Sequence, residues 1–338
     1  MKRLFPIWSR VAFVVLLPVT AYNAWDYAET RRYEARLAAI QQKGEPTTTA
    51  YLETGNWAQA ERYYRAGGAL LVSHALLLGV RVDVQKQAFK AVEKGEWTPE
   101  AIGLFRASVE NNREALAFVD RGAAVPFGGF RAGTSYNYQS GDLFTLALLC
   151  EIRAVVSAAD GDGDAAVASF AAEAGLVRAL DLVPTGPLAP RPRFANLSTV
   201  LDRTKPSMAA REAAGRAFAA IDHDDRLRRS LLQYRVARLS GQPPWLYMPH
   251  PVAVRGLRRA LDGYTALLAV ADRPWPQRID AMNALEAEPV YFAIREFTRV
   301  TADQVRRIRC ARLLLSTNRL TLIDPFTGKP LEVGSCHL

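Results

Sequence analysis

Histidine and cysteine are scarce in this sequence. These are the residues that most often bind transition metals and that frequently carry catalysis. The 338 residues include three cysteines and four histidines. No two cysteines stand in a CxxC spacing, which argues against zinc ligation by sulfur. The HExxH, GxSxG, GxGxxG and P-loop motifs are also absent. The sequence therefore predicts no catalytic residue, no cofactor and no metal site, and favours a protein that is not an enzyme.

A fold can also bring together catalytic residues that are distant in sequence, and such a set leaves no motif in the sequence. The alternative is therefore an envelope hydrolase with a dispersed active site, in which His223 or His250 acts with nearby carboxylates. His223 stands within Asp222-His223-Asp224-Asp225, and this set could also bind a divalent metal. Because the segment lies between two helical patterns and precedes several arginines, we favour helix capping over metal binding.

The acidic segment 160–164 has the alternating aspartates that begin a calcium loop. The rest of the loop is missing, because Ala165 stands where the sharp turn needs glycine and Ala171 where a bidentate glutamate should be. The segment therefore predicts a polar turn with a helix cap between two apolar helices.

Long apolar runs are rare as well, and the one that stands out lies near the N-terminal end. Residues 11–25 carry no charge and follow the basic residues Lys2, Arg3 and Arg10. Basic flanks stay in the cytoplasm, so this pattern predicts a single-pass protein of the bacterial inner membrane, with its N-terminus cytoplasmic and its body periplasmic. With the apolar turn before Arg10, residues 4–25 are long enough to span the bilayer.

The same run could instead be a cleaved signal peptide, with Val19-Thr20-Ala21 before the cleavage site. Against cleavage, Tyr22, Trp25 and Tyr27 follow at once, and such rings favour the membrane interface. Helical character also continues beyond the run. We therefore favour a permanent anchor, residues 1–25, which passes into a stalk helix and linker, residues 26–55.

The net charge of +9 would ordinarily suggest a nucleic-acid partner. Outside the cytoplasm that partner is scarce, and the arginines are dispersed through the helical patterns. We expect no nucleic-acid binding, and instead a solvated surface that is attracted to anionic lipid headgroups.

Helical periodicity fills most of the remaining chain, and strand signals are nearly absent before the tail. We predict an all-α protein with a transmembrane helix, a solenoid-like array of antiparallel helix hairpins, and a short β-hairpin or extended tail. The helical domain has a first half, residues 56–182, and a second half, residues 183–318, followed by the tail, 319–338. Beyond residue 95, the predicted helices cover about 98–120, 142–159, 165–182, 194–203, 206–222, 224–240, 252–272 and 289–317.

Two loops rich in aromatic residues are candidates for recognition. They carry Phe127, Phe130, Tyr136 and Tyr138 in the first loop, and Trp245, Tyr247 and Met248 in the second. Aromatic residues and methionine are frequent anchors in interfaces, and long loops without secondary structure are often functional. The alternative is that these rings cover open ends of the helix array and complete its core.

The three cysteines allow one disulfide in an oxidising compartment. Cys310 and Cys336 are the better candidates because both lie in the C-terminal segment. Cys150 lies in an apolar helical run, which favours a small buried side chain.

The run of residues 97–127, the apolar helices of 143–170 and the C-terminal sequence Asp324-Pro325-Phe326-Thr327-Gly328-Lys329-Pro330-Leu331 resemble a family of poorly characterised bacterial membrane-anchored helical proteins. The resemblance implies an N-terminal span and successive helix pairs, and it brings no catalytic residue. The tail is also similar to the Asp-Pro-aromatic tails of type II secretion pseudopilins. Unlike them, this chain lacks their processing site and has a long helical insertion.

Together these observations predict a membrane-anchored, extracytoplasmic helical protein that acts by binding. We expect it to be a structural or accessory subunit of an envelope or membrane protein complex. Its expected partners are the lipid bilayer, through residues 4–25, and a membrane or envelope protein. The similarity to pseudopilin tails adds a further alternative, a component associated with a secretion system.

Overall fold

The computed structural model describes most of the chain. The described residues are 5–47, 57–71, 90–92, 94–125, 139–180, 194, 196–222, 226–240, 248–284, 289–318 and 320–336, and a few of these are described in their backbone alone. The structure of this part is all-helical, as the sequence predicts, and it contains no β-strand. None of its described helices is both long and apolar enough to cross a membrane. Much of the predicted anchor, residue 4 and the side chains of 5–13, lies outside what the structure describes.

Twelve α-helices are described. Their bounds are α1 Phe5–Gln42, α2 Trp57–Ala69, α3 Pro99–Asn111, α4 Arg113–Ala124, α5 Gln139–Ala159, α6 Gly163–Leu180, α7 Leu197–Arg203, α8 Met208–Ala219, α9 Arg226–Ser240, α10 His250–Ala271, α11 Gln277–Ala284 and α12 Pro289–Leu315. A 3₁₀ turn, Val333–Ser335, follows near the end.

Two local features differ from the sequence-based predictions. The single helix predicted over 98–120 is divided into α3 and α4 at Asn112, whose backbone leaves the helical region at φ −115° and ψ 20°. The side-chain amide of Asn112 donates to the Ser108 carbonyl at 2.9 Å, and this local bond competes with continuation of the helix. Short helix α11 was not predicted, because Pro274 and Pro276 at its start give a turn signal.

The chain forms two compact units that alternate along the sequence. Unit 1 comprises residues 1–52 and 231–269, and so contains α1 and most of α9 and α10. Unit 2 comprises residues 53–230 and 270–338.

In unit 2, helices α5 and α6 form a hairpin whose small and apolar residues line two adjoining hydrophobic clusters. Close contact between helices depends on residues without large side chains. A Cβ on Gly175 would come within 2.9 Å of the Ala123 side chain, and a Cβ on Gly122 within 2.6 Å of the Tyr64 ring. In the second cluster the buried rings of Phe194 and Phe218 pack edge to face at 4.8 Å.

The C-terminal tail makes a tight turn but no β-hairpin. One isolated antiparallel bridge joins Ile323 and Pro330. The amide of Asp324 donates to the Lys329 carbonyl at 2.8 Å, and Gly328 takes the left-handed conformation that the turn requires, with φ +68°. Proline at one bridge position cannot donate to a ladder, which explains why the predicted strand pair does not extend.

Candidate functional site

Residues 16–25 of α1 present mostly apolar side chains on all sides. Each of them is exposed, among them Leu16 at 58%, Leu17 at 55% and Val19 at 50%. Successive residues of a helix are 100° apart, so these positions together surround its axis. Exposed apolar surfaces of this kind are typical of sites that bind a membrane or another protein.

Beyond Trp25, one face of α1 becomes buried within unit 1. Glu29 and Ile40 are each 3% exposed, whereas intervening residues such as Glu34 stay in solvent. A spacing of about three and four residues predicts such a face on a helix that packs on one side. The exposed part of α1 therefore continues directly into a part that is held by the protein itself.

One histidine–carboxylate contact and two ion pairs join this part of α1 to α10. Asp26 contacts His250 at 2.5 Å, Glu29 contacts Arg258 at 3.2 Å, and Arg36 contacts Asp262 at 2.8 Å. The three partners on α10 follow one another in the same order along the chain as their partners on α1. Helices α1 and α10 therefore run parallel, and the first turn of α10 lies beside Asp26.

The Glu29 carboxylate is the buried centre of this contact, with its side chain 4% exposed. Arg32, one turn along α1, lies 3.0 Å from one carboxylate oxygen, and Arg258 contacts the other. Two cations thus compensate one buried anion, which offsets its desolvation.

A second buried charged side chain contacts the residues that follow α1. Arg235 of α9 is fully buried, and its guanidinium donates to Glu45 at 2.7 Å and to the Pro46 carbonyl at 3.1 Å. Because guanidinium donors lie in a plane, the group can satisfy a side chain and a backbone oxygen together. The residues that directly follow α1 are therefore held against α9 within unit 1.

Most aromatic residues predicted for recognition lie outside the described part of the chain. These are Phe127, Phe130, Tyr136, Tyr138, Trp245 and Tyr247. Met248 is described, and its side chain is exposed at 52% just before α10.

The cysteines are arranged as a pair and a buried thiol. The structure joins Cys310 of α12 to Cys336 by a disulfide with a Cα–Cα distance of 5.1 Å. These two residues form a small apolar cluster with Leu313 and Leu331. Cys150 is fully buried, and burial raises the pKa of its thiol to about 12. A thiol in that state is unreactive at neutral pH.

The aspartates of 160–164 make the polar turn and the helix cap that the sequence predicts. Asp162 accepts a hydrogen bond from the Ala165 amide at 2.9 Å, which caps α6. Asp164 accepts from the Ser207 amide at 2.6 Å, and Asp160 pairs with Arg106. Each carboxylate therefore has a structural role.

The acidic segment before α9 is only partly described. The Asp222 carboxylate is 4% exposed and pairs with Arg309 at 3.2 Å and with Arg312. This contact ties the end of α8 to α12. His223, Asp224 and Asp225 lie outside the described residues. Among the described residues, no three side chains of His, Cys, Asp or Glu are grouped to hold a metal ion.

A buried polar cluster in unit 2 has no counterpart in the sequence motifs. Glu173 of α6 is fully buried. Burial, followed by the negative charge of Glu151, raises the pKa of Glu173 well above its ordinary range, and a backbone hydrogen bond from Phe194 opposes this rise in part. The Asn196 amide donates to Glu151 at 2.9 Å. A single acidic residue within the apolar sequence of α6 is the signal that could have found this cluster.

The chain matches no known family, no curated protein and no solved structure. The resemblance of its tail to the membrane-anchored family and to pseudopilins therefore stays a prediction.

Proposed function

We propose that this protein is a non-enzymatic, membrane-anchored accessory subunit, with a helical body outside the cytoplasm that binds another envelope or membrane protein. The observation that carries the proposal is α1, whose described side chains at residues 14 and 16–25 are exposed and mostly apolar, and which packs on one face within unit 1 from Asp26 onward. A bilayer is the environment that favours the first part, and the protein supplies the environment of the second.

The proposed span comprises residues 4–25 and includes the apolar turn before Arg10. The basic residues at positions 2, 3 and 10 favour the cytoplasmic side for the N-terminal end. The body is then periplasmic in a bacterial cell, where a disulfide such as Cys310–Cys336 is stable. In this proposal the helix pairs of unit 2 form a solenoid-like array, whose broad faces suit a protein partner.

Membrane anchoring is tested by replacing Leu16 and Leu17 together with arginine and measuring the protein that remains in membranes after alkaline carbonate washing. Each arginine near the centre of a span costs about 2.5–3.5 kcal/mol, so most of the protein should leave the membrane fraction. Met208→Arg is the control, because Met208 is also exposed, at 65%, and lies outside α1. Retention of the double variant would contradict the anchor.

The accessory role is tested by purifying the full chain in mild detergent and measuring the stoichiometry of the proteins that accompany it. A companion in fixed proportion is expected, and it should remain bound after a second, different affinity step. Purification of the chain alone, from cells grown in several conditions, would contradict the role.

The Asp26–His250 pair also favours a second candidate function, an envelope hydrolase. A carboxylate on Nδ1 of a histidine orients the ring as a general base in hydrolases. Under this alternative, a fluorophosphonate probe labels the protein, and His250→Gln abolishes the labelling. Absence of labelling in the unaltered chain would remove the serine-hydrolase form of this alternative.

A further inference from the structure

The contact between Asp26 and His250 fixes the position of α10 along the proposed anchor. The two side chains are 2.5 Å apart, and the helices run parallel from that point. Asp26 directly follows Trp25, the last residue of the proposed span. The first turn of α10 therefore lies at the depth at which α1 leaves the apolar part of the bilayer.

Apolar side chains are exposed on both helices at this depth. On α1 the rings of Tyr22 and Trp25 are 41% and 39% exposed and pack edge to face at 6.5 Å. Near the start of α10, Met248 is 52% exposed and Val252 is 40% exposed. Aromatic residues prefer the interface of a membrane, and exposed apolar side chains beside them gain from the same burial.

Positive charge follows the apolar side chains on both helices. Arg31 and Arg32 are exposed on α1, and Arg255 and Arg259 are exposed on α10. Residues 26–36 and 250–262 together contain six arginines and four carboxylates, with Glu34 and Asp262 among the latter. The net charge of these two segments is therefore positive, which complements the phosphates of anionic lipids. Arginine side chains near an anionic membrane surface are attracted to these phosphates.

We infer that the start of α10, from Met248 to Val252, is a second membrane contact, which lies in the interface of the bilayer that holds α1, with Arg255 and Arg259 beside anionic headgroups. The inference rests on the proposed anchoring of α1. In this inference lipid contacts the exposed Met248. A protein contact at Met248 is one of the results that the test can give.

The cysteines of the chain make this contact measurable. Cys150 is buried with its pKa raised to about 12, and Cys310 and Cys336 are bonded to each other. A Met248→Cys variant of the full chain therefore presents one reactive thiol for an environment-sensitive fluorophore. The matched control is Met208→Cys, because Met208 is also an exposed methionine, at 65%, and belongs to unit 2. Both labelled proteins are reconstituted into phosphatidylcholine vesicles that contain one quarter phosphatidylglycerol.

The expected result is that a nitroxide on shallow lipid positions quenches the label at 248, and that aqueous iodide quenches it several times less than the label at 208. Arg255→Gln with Arg259→Gln should reduce the lipid quenching at 248 severalfold in these vesicles. The same pair should have little effect in vesicles of phosphatidylcholine alone.

Equal iodide quenching at 248 and 208, in protein that resists carbonate washing, would overturn the membrane contact and leave the anchor intact. Protein that does not remain in the vesicles at all would overturn both proposals. A label at 248 that is shielded from iodide and also from the lipid nitroxide would identify a protein contact in place of lipid, and would overturn the inference.

Discussion

The carboxylate of Asp26 and the imidazole of His250 meet at 2.5 Å although 224 positions separate them in the chain. With the Glu29–Arg258 and Arg36–Asp262 pairs, this contact joins a segment near the N-terminal end to a helix of the second half of the chain. Polar contacts thus hold α1 and α10 together where the apolar part of α1 ends.

Glu29→Gln should loosen this part of α1. The substitution removes the charge that Arg32 and Arg258 share, and hydrogen bonds between charged groups contribute about 1.5–3 kcal/mol. Hydrogen exchange of the amides in residues 26–42 should become faster by roughly tenfold or more, since about 1.4 kcal/mol is a factor of ten. Glu34→Gln is the control on the same helix, because Glu34 is 59% exposed and lies 3.8 Å from Arg31. Equal exchange rates in the two variants would show that Glu29 does not hold the helix.

Arg235→Met should destabilise unit 1 by about 3–5 kcal/mol, the usual cost of breaking a buried ion pair. The substitution leaves Glu45 and the Pro46 carbonyl without their shared donor. Adding Glu45→Gln should recover part of this loss, because the side chain that lost Arg235 is then neutral. Urea unfolding measures both effects, and Arg259→Met, at an exposed position of α10, should change stability by less than about 0.5 kcal/mol. A double variant less stable than the single one would contradict the pairing.

Joint replacement of Cys310 and Cys336 by serine should lower the stability of unit 2 by roughly 3 kcal/mol. The disulfide closes a loop with a sequence separation of 26, and the estimate follows from the entropy of closing a loop of that length. Thermal unfolding with and without reductant measures the effect in the unaltered chain. The serine variant should not respond to reductant, which separates the disulfide from other effects of reduction.

Glu173→Gln should flatten the dependence of stability on pH. The pKa of Glu173 is raised in the folded state above its ordinary value of 4.5, so the folded protein keeps a proton that the unfolded chain has lost. The contribution of Glu173 to the free energy of unfolding is fully present below about pH 4.5 and is lost as the pH rises through the pKa of the folded state. The variant should therefore be stabilised relative to the unaltered chain at pH 8 more than at pH 5. Glu212→Gln, at an exposed position of α8, is the control, and equal pH profiles for both would contradict burial as the cause.

The sequence predicted the helical class and most helices of the described part, because helical periodicity is a local property of the chain. Helix caps are local as well: in the structure the Thr98 hydroxyl accepts from the Ala101 amide at 3.2 Å, at the start of α3. The division at Asn112 depends on one side chain that bonds its own helix, and the pattern of apolar residues does not show it.

The contacts of the candidate site are harder to predict from the sequence. His250 was considered with nearby carboxylates, but its partner Asp26 lies on a helix that is distant in sequence. Glu173 was missed because a single acidic residue gives no motif, and its burial is decided by the packing of α5 and α6.

The alternation of the two units along the chain sets an order for their completion during synthesis. Unit 1 requires residues 231–269, so α1 emerges long before its packing partners exist. Unit 2 in turn is complete only with residues 270–338. A ribosome that makes this chain therefore finishes neither unit before the last third of translation. During that time the face of α1 that is buried in the folded protein, including Glu29, has no α10 to pack against, and it stays exposed until α10 has been made.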